Sequence, residues 1–120
     1  MIHGARCCVD PKADDAVNYG ALGFVIGHEM THGFDDSGSQ FDAAGNLKNW
    51  WTDADKKAYQ SRTDLVVKQY DAYEPIKGEH VNGKLTLGEN IADIGGLKIA
   101  FAAYQNSLKG KPVPAPIDGF

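Results

Sequence analysis

The run His28-Glu29-Met30-Thr31-His32 combines two imidazoles and one carboxylate at a spacing that suits metal chemistry. Residues four positions apart lie on one face of a helix, about one turn apart, so His28 and His32 can bind the same metal ion. Glu29 is rotated away from both histidines, where its carboxylate can reach a water molecule on the metal and act as a general base. The motif predicts a hydrolytic zinc site; the competing interpretation is an ordinary helix with solvated or hydrogen-bonded histidines.

A zinc ion bound by two histidines needs another protein ligand, and a catalytic site keeps its fourth position open to water. Glu89 is the candidate, because it begins a helical pattern that otherwise turns an apolar face inward. Asp93 shares its helical face and can accept the second ring N–H of a ligating histidine. Taken alone, both acids would fit exposed positions near a helix start. We predict three zinc ligands, His28, His32 and Glu89, and two catalytic residues, Glu29 and Asp93.

The motif lies late in a predicted first helix, which follows the acidic pair Asp14-Asp15 and ends at Gly33 or Phe34. Apolar residues recur in it at threes and fours and give one broad buried face. Three glycines interrupt this pattern, and each costs about 1 kcal/mol relative to alanine inside a helix. Their presence predicts a close neighbouring backbone or tight packing at Gly20, Gly23 and Gly27.

Two further helices are predicted downstream. Thr52 and Asp55 resemble a capping arrangement, and the pattern after them predicts the second helix. The third helix begins near Leu87 and frays before the proline-rich end of the chain, where prolines prevent its continuation. Residues 35–49 are rich in turn formers and predict a loop, whereas residues 76–86 predict a loop or an irregular hairpin.

Length and composition exclude several functional classes. With 120 residues, of which 42% are hydrophobic, the chain fits one domain with a modest core. Its net charge is -4 and no basic stripe is present, which argues against a nucleic-acid partner. No apolar run approaches the roughly 18 to 20 residues of a membrane helix, and no targeting signal is visible. The adjacent Cys7 and Cys8 give no disulfide framework, so the role of both thiols stays open.

Beyond these motifs, four stretches of the sequence resemble the neprilysin and endothelin-converting enzyme family of zinc metallopeptidases, which is of the gluzincin type. The stretches are Asp14 to Gly20, Val25 to Asp36, Gly45 to Thr52, and Val81 to Asp93. The resemblance implies a mainly α fold: an incomplete, thermolysin-like (zincin) helical catalytic subdomain that contains the active-site helix. It divides the chain into an unmatched segment, 1–9, and a partial peptidase catalytic domain, 10–120.

The same resemblance places residues of this chain on the family's functional positions. His28, His32 and Glu89 fall on the zinc ligands. Glu29 falls on the catalytic base and Asp93 on the acid that orients a histidine. Asp35 falls on a further acid of this kind, and capping of the helix end is an equally good explanation for Asp35.

The implied function is that of a zinc-dependent metalloendopeptidase, which hydrolyses oligopeptides by means of a zinc-bound water activated by Glu29. The family's catalytic lobe continues with a histidine and an arginine that act on the transition state and the substrate, and neither has a counterpart here. The alternative is a zinc-binding fragment without activity, or a module that needs a second chain to complete the cleft. A metal-free helical interaction domain would require both motifs to be coincidental.

The expected cofactor is Zn²⁺ and the expected partner is a peptide, whose sequence preference cannot be read from these residues. Apolar side chains such as Trp50, Leu97 and Phe101 are expected to be exposed, because the elements they pack against in the family are missing. This predicts self-association or pairing with the remainder of the catalytic domain. Family members are commonly secreted or membrane-anchored, so the resemblance implies a parent protein outside the cytoplasm, whether secreted, periplasmic or anchored.

Overall fold

The structure is a computed structural model that describes residues 9–112 and 114–116. The predicted features outside this part are the thiols of Cys7 and Cys8 and nearly all of the unmatched segment 1–9. The described α-helices, in chain order, are α1 (Asp15–Asn18), α2 (Phe24–Thr31), α3 (Asp53–Asp71) and α4 (Leu87–Ser107). None of these helices has the length and the apolar composition needed to cross a membrane.

Shorter helical turns connect these helices. A π-helical turn covers Tyr19–Gly23, and 3-10 turns cover His32–Phe34 and Gly38–Gln40. The two predicted loops each contain one isolated antiparallel bridge, Phe41 with Leu47 and Ile76 with Glu79. No strand longer than such a bridge forms in the described part of the chain, which confirms the predicted mainly helical fold.

The predicted first helix runs from Asp15 to Phe34, but its α-helical ladder is interrupted by the π turn. Asn18 (φ -68°, ψ -38°) and Phe24 (φ -60°, ψ -49°) flank the turn with right-handed helical angles, so the helix does not break there. A π turn inserts an extra residue into the ladder and so rotates α1 relative to α2. Tyr19, the first residue of the turn, packs against Tyr104 of α4 with ring centroids 5.7 Å apart. The sequence analysis did not predict this turn.

The start of α3 is fixed by its own sequence. The Thr52 hydroxyl accepts a hydrogen bond from the Asp55 N–H at 3.1 Å, and the Asp55 carboxylate accepts one from the Thr52 N–H at 3.4 Å. These reciprocal bonds satisfy two N–H groups that the helix itself leaves unpaired, and they confirm the predicted capping arrangement. Thr63 is the one buried residue described in α3, so this helix is held mainly by local interactions.

Among the helices that the structure describes, α2 and α4 make the most extensive contact. A Cβ atom added to Gly27 would lie 2.9 Å from the Gly96 carbonyl oxygen and 3.0 Å from its Cα, so the two backbones touch. At Gly23 an added Cβ would make an ordinary contact with the Ala100 Cβ at 3.7 Å, whereas at Gly20 it would meet nothing within 4 Å. The prediction of close packing is therefore confirmed at Gly27, is not supported at Gly23, where a side chain would fit, and is wrong at Gly20.

Few apolar side chains are buried. Within the described residues, Leu87, Ala92 and Ala100 are the buried hydrophobic residues, and two of the three are alanines. The exposed fraction is 61% for Leu97, 62% for Phe101 and 47% for Trp50, which confirms the predicted exposure of apolar side chains on α4 and before α3.

Candidate metal centre

Each histidine of the motif is held by a carboxylate at its Nδ1 atom. Asp93 Oδ1, on α4, lies 2.9 Å from His28 Nδ1. Asp35 Oδ2, just after the 3-10 turn, lies 2.7 Å from His32 Nδ1. An ionised carboxylate only accepts hydrogen bonds, so both imidazoles carry a proton on Nδ1. Their Nε2 lone pairs are consequently available to a metal ion.

The two Nε2 atoms point to a common position, where they lie 3.0 Å apart. Glu89, in the first turn of α4, adds its carboxylate there, with Oε2 3.3 Å from His28 Nε2 and Oε1 3.7 Å from His32 Nε2. Zinc with bonds of about 2.0–2.2 Å in a tetrahedral arrangement needs neighbouring ligand atoms about 3.3–3.6 Å apart. The observed separations span this range, so the donor set and its spacing fit zinc.

The cluster is open on the Glu89 side. The Glu89 side chain is 68% exposed, whereas His28 and His32 are 17% and 30% exposed. The histidines are thus partly covered by neighbouring residues, and the carboxylate faces solvent. A catalytic zinc site requires an open position for water and substrate, and this arrangement leaves one accessible.

Asp35 is a buried acid, yet its pKa is lowered. Burial alone would raise the pKa of its carboxyl group, but the N–H groups of Gly38 and Ser37 donate to Oδ1 and His32 donates to Oδ2, and together they outweigh burial. The hydrogen bond to Asp35 in turn raises the pKa of His32; burial opposes this rise and the charges of nearby acids add to it. The acids around His32 therefore stabilise the protonated, positively charged form of its imidazole.

Asp35 has both roles that the sequence suggested for it: it caps the end of the helix and it holds a histidine. Oδ1 accepts the N–H groups of Ser37 and Gly38 at 2.8 and 2.7 Å and closes the turn after the helix. Oδ2 holds His32. One buried carboxylate thus connects the end of the helix to the orientation of an imidazole.

Glu29 lies beside the cluster. It is exposed on α2, and its charge contributes to the raised pKa of His32. Its carboxylate is open to solvent, as a general base that acts on water must be. The structure thus brings His28, His32, Glu89 and Asp93 together, and it places Glu29 at their side.

Two glycines of α4 adjoin the site, and the sequence analysis assigned them no role. A Cβ added to Gly88 would lie 3.1 Å from both Asp35 Oδ2 and Asp36 Oδ1, and one added to Gly96 would lie 2.7 Å from the His28 backbone nitrogen. Neither glycine carries a functional group, so no motif identifies it. The available signal was the cost of glycine inside a helix, which was considered for Gly27 and applies equally to Gly96.

A separate cleft of about 780 Å³ lies between α3 and the segment that follows α2. Trp51 and Tyr59 line it, and Asp36 and Leu87 form its border with the metal centre. Burial in its wall raises the pKa of Tyr59 to about 12, and the negative charges of Asp36 and Asp35 add to the effect. None of the predicted zinc ligands lines this cleft, so we assign it no part in the metal chemistry.

Comparisons with known proteins agree with this geometry. The model of Peptidase family M13 matches residues 8–120. The chain is 52% identical over 98 residues to endothelin-converting enzyme 1 of Rattus norvegicus, a match that covers 82% of this chain and 13% of that protein. It is 59% identical over 91 residues to neprilysin-11 of Caenorhabditis elegans, which covers 75% of this chain and 11% of that protein.

A solved structure is similar as well. The zinc metalloprotease ZMP1 of Mycobacterium tuberculosis, in complex with an inhibitor, matches with a TM-score of 0.88 and 52% sequence identity. The match covers 93% of this chain and 18% of that chain. The present chain therefore spans less than a fifth of the length of the proteins it resembles.

A helical subdomain that presents two histidines and a glutamate around one position is characteristic of metallopeptidases. Within that class, the match of the Peptidase family M13 model to residues 8–120 identifies the family. The chain belongs to peptidase family M13, and its helices correspond to the helical part of that family's catalytic domain.

Proposed function

We propose that this chain is the zinc-binding part of a metalloendopeptidase that hydrolyses oligopeptides, with residues 10–120 as a partial catalytic domain. The observation that carries the proposal is the convergence of His28 Nε2, His32 Nε2 and the Glu89 carboxylate within 4.8 Å of one another. Both Nδ1 atoms are committed to carboxylates, so the Nε2 atoms are available as ligands.

The residues of this chain have separate tasks in the proposed reaction. His28, His32 and Glu89 hold the zinc ion, which when bound supplies Lewis acidity to the scissile carbonyl and to a water molecule. Glu29 accepts the proton of the attacking water and later delivers it to the leaving amine. Asp93 and Asp35 keep the two imidazoles in the tautomer and orientation that direct Nε2 toward the metal.

The proposed substrate class is peptides. It rests on membership of a peptidase family and on relatives named as an endothelin-converting enzyme and a neprilysin. A location outside the cytoplasm is proposed on the same family resemblance.

A second candidate function is zinc binding without independent catalysis, in which further protein completes the cleft. The exposure of Leu97 and Phe101 favours it, because apolar side chains on one helix are suited to cover by additional protein. In this case either self-association or pairing with the remainder of a catalytic domain would bury the exposed face of α4.

The test compares zinc content and peptide cleavage between the wild-type chain and three variants. Metal analysis is expected to find about one zinc per chain in the wild type and in Glu29→Gln, and little in Glu89→Ala. Glu79→Ala, which removes an exposed glutamate from the loop before α4, is the matched control and should retain zinc. Cleavage of a quenched peptide library is expected for the wild type and should fall about 10²- to 10⁴-fold in Glu29→Gln.

Each outcome distinguishes the candidates. Zinc in the wild type without cleavage would support the second candidate function over the first. Zinc retained in Glu89→Ala would contradict the ligand assignment, and a wild-type chain that binds no zinc when supplied with it would overturn both candidates.

A further inference from the structure

One face of α4 carries both the chemistry and the closest helix contact. Glu89, Asp93, Gly96 and Ala100 follow one another at spacings of four, three and four, so they share this face. At the beginning of the face, Glu89 and Asp93 meet His28 of α2, and Glu89 also lies near His32 of the 3-10 turn that follows α2. Further along, the face has no large side chain, and α2 lies directly against it.

Gly96 contacts the backbone of a ligand residue. A Cβ added to Gly96 would lie 2.7 Å from the His28 nitrogen, 2.9 Å from the His28 Cα and 2.9 Å from the Phe24 carbonyl oxygen. These are backbone atoms within a helix and cannot rotate away. Gly95 differs, because its added Cβ would meet the side chain of Thr31, at 2.5 Å, which can change rotamer. The separation of the two helices thus depends on glycine at position 96 of α4 and, on the facing side, at position 27 of α2.

This separation determines whether Asp93 reaches His28. Asp93 precedes Gly96 by three residues, less than one helical turn, so a displacement of α4 at Gly96 moves Asp93 by a similar amount. Its side chain has one methylene group and already spans the gap to His28 Nδ1 with a hydrogen bond of 2.9 Å. Both carboxylates are more than half exposed, but the Glu89 side chain has one more methylene group, so it can follow a displacement of α4 over a longer distance than Asp93 can.

We propose that Gly96 is a positioning residue for the zinc site: because it has no side chain, α4 approaches His28 closely enough for Asp93 to hold the imidazole. The inference rests on the zinc site proposed above and does not depend on peptide cleavage. It predicts that an alanine at position 96 moves α4 away from α2, lengthens the contact between Asp93 and His28, and weakens zinc binding.

The first experiment measures zinc affinity by competition with a chelator for the wild-type chain, Gly96→Ala and the control Gly20→Ala. Position 20 is also a helical glycine, and its added Cβ would meet nothing within 4 Å. Gly96→Ala is expected to bind zinc about 10- to 100-fold more weakly, the range typical for loss of a group that orients a metal ligand. Gly20→Ala should match the wild type. The visible spectrum of the cobalt-substituted chains should change in Gly96→Ala only.

A second variant separates positioning from a general loss of folding. Asp93→Glu lengthens the carboxylate side chain by one methylene group. In the wild-type background it should weaken zinc binding, because the longer side chain crowds a gap that aspartate already fills. In the Gly96→Ala background it should restore much of the lost affinity, because the gap is wider. A merely unfolded Gly96→Ala chain would gain nothing from Asp93→Glu.

The results can overturn the role of Gly96 without overturning the proposed zinc site. Equal zinc affinity in Gly96→Ala and Gly20→Ala, with zinc bound by the wild type, would overturn the role of Gly96 alone. Failure of Asp93→Glu to improve zinc binding by Gly96→Ala would also overturn it. A wild-type chain that binds no zinc would overturn the proposed site and this inference together.

Discussion

The helix pair α2 and α4 and the separate helix α3 are held by different kinds of interaction. At the crossing of α2 and α4, backbone lies against backbone at Gly27 and Gly96, and the predicted ligands come from both helices. Helix α3 begins with a capping box, has one buried residue in the described structure and contributes no predicted ligand. Long-range packing therefore determines the geometry of the candidate site, whereas α3 has a start defined by local capping and buries little of its surface.

The largest expected difference between the two regions is their response to zinc. A ligand present at one hundred times its dissociation constant stabilises the folded state by about 2.7 kcal/mol. Because the proposed ligands His28, His32 and Glu89 would join α2 and the 3-10 turn after it to α4, we expect zinc to slow amide hydrogen exchange in these elements by up to about 100-fold and to leave α3 nearly unchanged. Mass spectrometry of exchanged peptides measures this directly.

The Glu89→Ala chain is the control, since zinc should give it little protection. Equal protection of α3 and of the pair α2 and α4 would contradict the comparison, because it would show that all three helices open as one unit.

A smaller effect on zinc affinity is expected from changing one of two similar acids in the segment between α2 and α3, and no effect from changing the other. Asp35 and Asp42 each close a turn by accepting backbone N–H groups, from Ser37 and Gly38 in one case and from Ala44 and Asn46 in the other. Only Asp35 also holds a ligand histidine. Asp35→Asn should therefore weaken zinc binding about 10- to 100-fold, in the range reported for groups that orient metal ligands.

Asp42→Asn is the matched control, with the same chemical change in a turn that does not touch the site. Chelator competition should show no change of zinc affinity for it. Equal losses in the two variants would mean that the loop as a whole, rather than the bond from Asp35 to His32, supports the site.

The sequence predicted those parts of the site that depend on local spacing. The one-turn interval between His28 and His32 follows from helix geometry, and the capping of α3 follows from the positions of Thr52 and Asp55. Glu89 and Asp93, which are far from the histidines in the sequence, were proposed from their helical spacing and from the ligands that zinc requires, and the resemblance to a known family supported that choice. Their approach depends on how α4 crosses α2, and that crossing cannot be read from periodicity.

Two features could not be predicted because they depend on contacts between distant residues. The π turn Tyr19–Gly23 has no signature of its own in the sequence, and the structure relates it to α4 through the packing of Tyr19 on Tyr104. Gly20 was expected to pack closely and does not, whereas Gly27 does. A glycine in a helix thus permits another helix to approach closely, and only the tertiary arrangement determines which glycine makes such a contact.

Removal of the N-terminal cap of α3 should lower the stability of the chain modestly. Thr52→Ala deletes the hydroxyl that accepts the Asp55 N–H, and loss of such a cap typically costs about 1 kcal/mol. Because α3 carries no ligand, zinc affinity should stay at its wild-type value while the urea midpoint of the zinc-free chain falls. Thr52→Ser, which keeps the hydroxyl, is the control. A parallel loss of zinc affinity in Thr52→Ala would show that α3 and the site are coupled after all.

The smallest effect concerns pH, at the cleft where α3 faces the metal centre. The pKa of Tyr59 is raised to about 12 by burial and by the charges of Asp36 and Asp35, compared with 10.0 for an unperturbed tyrosine. The folded chain therefore holds this proton more tightly than the unfolded chain, so the contribution of Tyr59 to stability is complete below pH 10 and is lost as the pH rises toward 12.

Tyr59→Phe removes this titration, so its free energy of unfolding should fall less steeply than that of the wild type between pH 10 and 12. Urea unfolding of both chains at several pH values measures the two slopes, and the difference between them isolates Tyr59 from the other tyrosines and lysines that titrate in the same range. Tyr70→Phe, at the other end of α3, is the matched control and should follow the wild type. Identical slopes for the wild type and Tyr59→Phe would mean that neither burial nor the acids after α2 raise the pKa of Tyr59, and that α3 and the segment after α2 are not coupled at this cleft.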